Sequence, residues 1–121
     1  MQKRFQIINI WRPLGPNPII STPLTLCDYY TLDIDNDLHV SGVRNSRATS
    51  SFYMISRNIK DAQRWYYLGQ MKSDEMFILK IFDSDPEVAQ FAAHTAFIND
   101  TVPSTDAEQH SIEIRCLVFY D

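Results

Sequence analysis

The side chain best suited to metal chemistry is a histidine in the last third of the sequence. His94 lies among small and apolar residues in the segment 91–97, and neutral imidazole is the commonest protein ligand of metal ions. A lone histidine is equally at home in a core or at its rim, where backbone groups satisfy the ring nitrogens. The residues alone leave both interpretations of His94 open.

A complete iron site would need further ligands. A mononuclear iron centre of the facial-triad type takes two histidines and one carboxylate. His39 has no carboxylate two positions further on. His110 and Glu113 are three apart in a strand-like run, where such positions face opposite ways. The chain therefore does not complete a metal site from its own residues.

The C-terminal run 111–120 places polar side chains on one face of a predicted strand. Alternation puts Ser111, Glu113 and Arg115 together, because successive side chains of a strand point to opposite faces. A guanidinium can bind a carboxylate through two parallel hydrogen bonds. The alternative for Arg115 is a structural ion pair with Glu113 or with an acid on a neighbouring strand, and both interpretations stay open.

A third candidate is the aromatic run that begins at Arg64. In a strand, Trp65 and Tyr67 share one face, and Arg64 and Tyr66 share the other. Aromatic pairs in sheets most often serve packing. The second interpretation is a substrate-pocket wall made by Arg64, Trp65 and Tyr66.

The elements that must position these residues are mostly short strands. β-branched and aromatic runs separated by turn residues predict a β-sandwich or barrel, and residues 1–121 form one domain by length. The prolines and glycine of residues 13–18 end the first strand, residues 35–37 make a turn, and residues 85–91 are the best helix candidate. The predicted strands are residues 4–11, 24–34, 38–43, 52–56, 64–68, 76–82 and 111–120. Of these, the nearly all-apolar run 76–82 is expected to lie centrally or to be buried on both faces.

Composition excludes several classes of protein. The net charge is −4 without a basic stripe, so no nucleic-acid partner is expected. No apolar run approaches the roughly 20 residues that span a bilayer, and the first residues are too quickly interrupted for a secretory signal. Two distant cysteines are then expected to be reduced thiols in a cytoplasmic protein.

Several segments together resemble the fungal hydroxylase/desaturase family typified by the AsaB, CmcJ and gibberellin-desaturase proteins, and specifically its C-terminal part. They occur in the family's order and cover almost the whole chain. The matching residues are 9–14 (NIWRPL), 23–28 (PLTLCD), 64–67 (RWYY), 80–84 (KIFDS), 94–97 (HTAF) and 111–115 (SIEIR).

The resemblance implies an antiparallel jelly-roll (double-stranded β-helix) fold with little helix, in a partial version. It implies oxidative tailoring of small molecules in secondary metabolism with iron(II) and 2-oxoglutarate. His94 then corresponds to the distal iron-binding histidine, and Ser111 and Arg115 lie on the strand that meets 2-oxoglutarate. Gln63 and Gln109 stand where the family usually has histidine and arginine, and the family's H-x-D pair belongs to an N-terminal half.

Two functional hypotheses follow. The first is an oxidoreductase-family protein of the hydroxylase/desaturase type that is weakly active or inactive alone, because one histidine cannot hold a catalytic iron. The alternative is a non-catalytic β-sandwich that binds a ligand or serves as a partner subunit. A small-molecule substrate is expected in the first case. Homodimerisation or association through exposed sheet edges is expected if strands are unpaired.

Overall fold

The computed structural model describes residues 3–44, 49–103 and 109–121. Within them the regular structure is mostly strand, with a 3-10 turn at Tyr29–Thr31 and a one-turn helix α1 at Ile34–Asp37. No helix in this part of the chain is long and apolar enough to cross a membrane. The prediction of a mainly β protein is confirmed. The strands are β1 (Phe5–Leu14), β2 (Leu24–Cys27), β3 (Leu38–Arg44), β4 (Thr49–Ile55), β5 (Trp65–Tyr67), β6 (Phe77–Asp83), β7 (His94–Ala96) and β8 (His110–Phe119).

The strands form two three-stranded antiparallel sheets and one hairpin. The first sheet has the order β6-β1-β8, and Asn9 at its centre is opposite Leu79 and Arg115. The second has the order β5-β2-β7, and Leu26 at its centre is opposite Tyr66 and His94. Strands β3 and β4 pair with each other. Directly opposed residues share a sheet face, so these registers decide which side chains meet.

The core lies between the two sheets. Trp11 of β1 and Leu79 of β6 are buried together with Ile19 and Met71, which form an isolated bridge. Apolar residues from both sheets pack against this cluster: Leu24, Leu26, Phe77 and Ile81. The inner face of the first sheet is thus the one that carries Trp11 and Leu79, and the inner face of the second carries Leu26.

A buried carboxylate ties the strands of the first sheet together. Asp83, which has no exposed area, accepts from Arg4 Nε and Nη2 at 3.0 and 2.8 Å, from Lys80 Nζ at 2.7 Å and from Gln6 Nε2 at 2.6 Å. Gln6 in turn accepts from the Tyr120 hydroxyl at 2.6 Å. The Arg4 hydrogen bonds, followed by those of Lys80 and Gln6, hold the pKa of Asp83 far below its usual range.

The predicted ends of the first two strands are wrong. Strand β1 continues through Pro13 to Leu14, because its pairing with β6 ends at Trp11 and only β8 adjoins it there; a proline is tolerated at such an edge position. The strand predicted over residues 24–34 ends at Cys27. Asp28 then caps the 3-10 turn by accepting from the Tyr30 amide at 3.1 Å.

Three further local predictions are corrected. Residues 35–37 belong to α1 rather than to a simple turn. Residues 85–91 form turns and no helix, since so short a segment cannot repay helix nucleation and the Gln90 side chain donates to the Asp85 carbonyl at 2.6 Å. Strand β6 lies at the edge of its sheet, and it is buried on one face, with Leu79 at 1% and Ile78 at 69% exposure.

We predict that Asp83→Asn lowers the melting temperature by about 10 °C, because Arg4 and Lys80 lose the buried charge that they neutralise. The folded-state pKa of Asp83 is depressed, so its stabilising contribution is complete above the unfolded carboxyl pKa and is lost as the pH falls through the folded value. Melting of the wild type should therefore depend more steeply on pH below about pH 4 than melting of the variant.

The matched control is Asp61→Asn, since Asp61 is exposed in an ion pair with Arg57, and such pairs contribute little. Calorimetric scans of the three proteins between acid and neutral pH make the comparison. Equal melting temperatures for the wild type and Asp83→Asn would refute the stabilising role of this carboxylate.

Candidate functional site

A cavity of about 970 Å³ opens beside the core. Its walls come from the inner face of the first sheet, from β4, from Trp65 at the start of β5, and from the segment that leads into β7. Residues from all three pairing units therefore meet around one space. Two of the side chains singled out by the sequence, His94 and Arg115, line it together.

The register of β7 turns His94 towards this space. His94 is opposite Leu26, which packs against the core, so both lie on the inner face of the second sheet. Its Nδ1 lies 2.8 Å from the Ala92 carbonyl oxygen. A carbonyl only accepts, so Nδ1 carries the proton and the neutral ring has its lone pair on Nε2. The side chain is exposed to the cavity rather than sealed in the interior, and its hydrogen bond to a carbonyl is of the kind that orients a ligating histidine.

Arg115 is positioned by a buried asparagine. Asn9 is 2% exposed and faces the cavity from the centre of the first sheet. Its Oδ1 accepts from Arg115 Nε at 3.0 Å, and its Nδ2 donates to Glu113 Oε1. The amide thus orients an arginine and a carboxylate that project from alternate positions of β8.

Within the described part of the chain Arg115 forms no ion pair with Glu113 or with any other acid; the described ion pairs involve Lys3, Arg4, Arg57 and Lys80. The interpretation of Arg115 as one half of a structural ion pair therefore finds no support here. Its terminal nitrogens are available to an anion in the cavity, for which a guanidinium is well suited.

Ser111 is not brought to the same place. It is exposed, opposite Pro13, and outside the lining of the cavity. It lies four residues from Arg115 along β8, about 13 Å at about 3.3 Å per residue. Gln109 lies still further away and accepts from the Thr22 hydroxyl at 2.6 Å.

Of the three aromatic-run candidates, Trp65 alone lines the cavity. Arg64 is engaged through its backbone: its amide donates to Thr31 Oγ1 at 3.0 Å, and its carbonyl accepts from the Asp28 amide at 2.9 Å. Tyr66 is 57% exposed and lies outside the lining. Strand alternation does not account for this difference, because Tyr66 is opposite Leu26; the Trp65 indole, at the start of β5, is held at the cavity by the Gln63 side chain.

A second buried carboxylate holds Trp65, and the sequence carried no sign of it. Asp37 is 4% exposed and accepts from Asn58 Nδ2 and Gln63 Nε2, each at 2.9 Å. These hydrogen bonds, that of Asn58 first, lower the pKa of Asp37. Gln63 Oε1 then accepts from the Trp65 indole at 3.3 Å. One wall of the cavity is thus fixed by contacts between Asp37 and residues that are distant from it in sequence, namely Asn58, Gln63 and, through Gln63, Trp65.

This site contains one guanidinium, that of Arg115, which can bind a carboxylate, and one imidazole, that of His94, which can bind a metal ion. Among the described residues no group of three or more histidine, cysteine, aspartate or glutamate side chains is placed to hold a metal ion. His94 therefore supplies one position of a metal site and does not complete it.

Comparison with known proteins places this chain among oxidoreductases. Residues 1–119 match the family model described as "Oxidoreductase/YMDC permease-like domain". The chain is 37% identical to the Fe(II)/2-oxoglutarate-dependent dioxygenase nvfI of Aspergillus novofumigatus, over 98% of this chain and 42% of that protein. It is 34% identical to aspirochlorine biosynthesis protein N of Aspergillus oryzae, over 100% and 50%. With the hydroxylase/desaturase asaB of Aspergillus flavus the identity is 32%, over 100% and 58%.

Solved structures agree with this placement. The iron and alpha-ketoglutarate-dependent endoperoxidase NvfI superposes with a TM-score of 0.81 at 36% identity, over 97% of this chain and 43% of that one. Its W199F variant gives a TM-score of 0.83. That enzyme has a jelly-roll fold, so the prediction of an antiparallel jelly roll in partial form is confirmed. The chain spans about half the length of the relatives it matches and corresponds to their C-terminal part.

We predict that Gln63→Met lowers the melting temperature by about 5 °C, because a near-isosteric side chain deprives buried Asp37 of a hydrogen-bond donor. It should also broaden or shift the indole N–H resonance of Trp65, which loses its acceptor.

Gln109→Met is the matched control, since Gln109 makes an exposed hydrogen bond and should change neither quantity measurably. Thermal unfolding and a nitrogen-15 correlation spectrum supply the two readouts. An unchanged Trp65 resonance in Gln63→Met would mean that Gln63 does not position the indole.

Proposed function

The chain belongs to the family described as the oxidoreductase/YMDC permease-like domain, and from that premise we propose that it forms half of the active site of a small-molecule hydroxylase or desaturase that uses iron(II) and 2-oxoglutarate. Its relatives named as a dioxygenase and a hydroxylase/desaturase support this reading. The substrate is a small molecule of secondary metabolism. Taken alone, the chain turns over weakly or not at all.

The observation that carries the proposal is the shared cavity of His94 and Arg115. His94 presents the Nε2 lone pair as an iron ligand, and Arg115 binds a carboxylate of 2-oxoglutarate through its terminal nitrogens. Iron(II) with 2-oxoglutarate supplies the oxidising chemistry in enzymes of this kind. Arg115 is the principal contact, and Ser111 is at most an outer one, because it lies outside the cavity lining.

The described residues do not fit a complete iron site, since they contribute one imidazole and no cluster of ligands. We therefore derive no reaction step through iron for this chain by itself. The incomplete ligand set also favours a second candidate function, a non-catalytic binding or partner subunit that keeps the cavity and its anion-binding arginine.

A chimera tests the proposed function. The chain replaces the matching C-terminal part of the Aspergillus novofumigatus relative, 42% of that protein, which then supplies the remaining ligands. We expect the chimera to form succinate from 2-oxoglutarate in the presence of iron(II), and His94→Ala to abolish this activity because an iron ligand is lost. Arg115→Ala should weaken 2-oxoglutarate binding about tenfold or more.

His39→Ala is the control for histidine replacement, since His39 is exposed on β3 and pairs with the Ser56 hydroxyl at 2.9 Å. It should leave succinate formation unchanged. A folded chimera that is inactive, or one whose activity survives His94→Ala, would rule out the catalytic reading. Binding of 2-oxoglutarate without turnover would then favour the partner-subunit function.

We also propose a cytoplasmic location, supported by two free thiols, Cys27 and Cys116, as expected in a reducing compartment. Nucleic acid is not among the proposed partners, because the net charge is −4.

Self-association is the last element of the proposal. The outer face of the first sheet carries Ile10 between Ile78 and Ile114, and the latter two are 69% and 56% exposed. An exposed apolar patch beside open strand edges favours association.

We predict that the mass measured by light scattering rises with concentration and that Ile114→Asp keeps the chain monomeric, because a charge enters the apolar face. Ile98→Asp is the control, since Ile98 is 81% exposed outside the sheet. A wild type that stays monomeric at high concentration would contradict this prediction.

A further inference from the structure

The cavity has an aromatic wall distinct from the wall that carries Arg115. Tyr53 comes from β4, Phe91 from the segment before β7, and Trp65 from β5. Arg115, Glu113 and Asn9 belong to the first sheet instead. The two kinds of lining thus come from different structural units, which allows each to serve a different ligand.

The aromatic wall is held in place from behind. Phe91 meets the edge of Tyr29, with ring centroids 5.3 Å apart at 81°, and is stacked with Tyr53 at 6.3 Å and 17°. The Trp65 indole is fixed by Gln63. Tyr53 nevertheless remains 62% exposed. A fixed ring with so much free surface is ready to bury another flat, apolar surface.

Charge is distributed unevenly over the lining. The charged residues near the hairpin, Arg57 and Asp61, neutralise each other across 3.0 Å at an exposed position. On the other wall the Asn9 amide binds both Arg115 and Glu113, and these two form no ion pair with each other among the described residues. An anionic group is therefore favoured at Arg115 over the aromatic wall, where the guanidinium of Arg57 is already paired with Asp61 and the ring faces do not compensate the desolvation of a charge.

The volume leaves room for two ligands. Ligand cavities in proteins run from about 300 to about 1,000 Å³, and this one, at about 970 Å³, lies at the upper end. A small dicarboxylate at Arg115 fills a minor part of it. The remaining space is bounded by Tyr53, Phe91 and Trp65.

We propose that the second occupant is an uncharged, apolar ring compound whose flat face lies against Tyr53, Phe91 and Trp65, and that Tyr53 is a specificity-determining residue. The inference rests on the proposed function, since it assigns the substrate class of the same site. Ring stacking on Tyr53 supplies the affinity, and the absence of an unpaired charge on this wall selects against ionised substrates.

Equilibrium dialysis of the full chain tests the proposal with two probes of the same shape, neutral 2-naphthol and anionic 2-naphthoate. We expect 2-naphthol to bind more tightly than 2-naphthoate to Arg115→Ala, in which no guanidinium binds the carboxylate of the second probe, and Tyr53→Ala to weaken binding of 2-naphthol about tenfold. Tyr53→Phe, which keeps the ring, should bind 2-naphthol with wild-type affinity. This variant shows whether the loss of binding in Tyr53→Ala comes from the missing ring and not from misfolding.

Tyr30→Ala is the matched control. Tyr30 is 79% exposed, contacts the edge of Tyr29 and lies outside the cavity lining, so its removal should leave 2-naphthol binding unchanged. Absent binding of 2-naphthol, equal binding to the wild type and Tyr53→Ala, or tighter binding of 2-naphthoate to Arg115→Ala would each overturn the inference.

Dialysis of 2-oxoglutarate against the same proteins and against Arg115→Ala separates this inference from the proposed function. Tyr53→Ala should bind 2-oxoglutarate normally, and Arg115→Ala should bind 2-naphthol normally. If 2-oxoglutarate fails to bind while binding of 2-naphthol depends on Tyr53, the proposed function fails and the inferred substrate class stands. If binding of 2-oxoglutarate depends on Arg115 but binding of 2-naphthol does not depend on Tyr53, the inferred substrate class fails and the proposed function stands.

Discussion

The fully buried carboxylate of Asp83 is the constraint on which the first sheet depends. An ionised group without solvent must be neutralised and hydrogen-bonded, and here Arg4, Lys80 and Gln6 all converge on it. Because Gln6 also binds the Tyr120 hydroxyl, this one charge joins the ends of β1, β6 and β8. Asn9, which orients Arg115, lies on the same strand three residues after Gln6.

A second carboxylate does the same for the other side of the cavity. Asp37 is held by side-chain amides and not by a cation, and through Gln63 it fixes the Trp65 indole. The hydrogen bonds of the Gln63 side chain go to the Asp37 carboxylate, the Ser56 carbonyl and the Trp65 indole. Both carboxylates are structural, and neither lines the cavity. Within the described ranges, Arg115 binds Asn9 through Nε and His94 binds the Ala92 carbonyl through Nδ1, so the terminal nitrogens of Arg115 and Nε2 of His94 remain for a ligand.

The sequence predicted those features of the molecule that depend on local alternation along a strand. The shared face of the polar residues of β8 and the small residues around His94 could be recognised from the sequence, because alternation along a strand is a local property. The Arg4–Asp83 contact spans 79 positions, and the Asp37–Gln63 contact spans 26; no local pattern encodes such pairs. The same limit explains why Ser111 and Arg115 share a strand face but not the cavity, and why Trp65 alone of its run lines it.

His94 and Arg115 line one cavity, and each is oriented by a hydrogen bond to its neighbour. Nitrogen-15 NMR of the chain labelled at histidine and arginine tests this most directly. With 2-oxoglutarate added, we expect the neutral His94 ring to carry its proton on Nδ1, and the resonances of both the His94 ring and Arg115 Nε to shift as the 2-oxoglutarate concentration rises. A His94 ring protonated at Nε2 instead, or Arg115 and His94 resonances indifferent to 2-oxoglutarate, would contradict it.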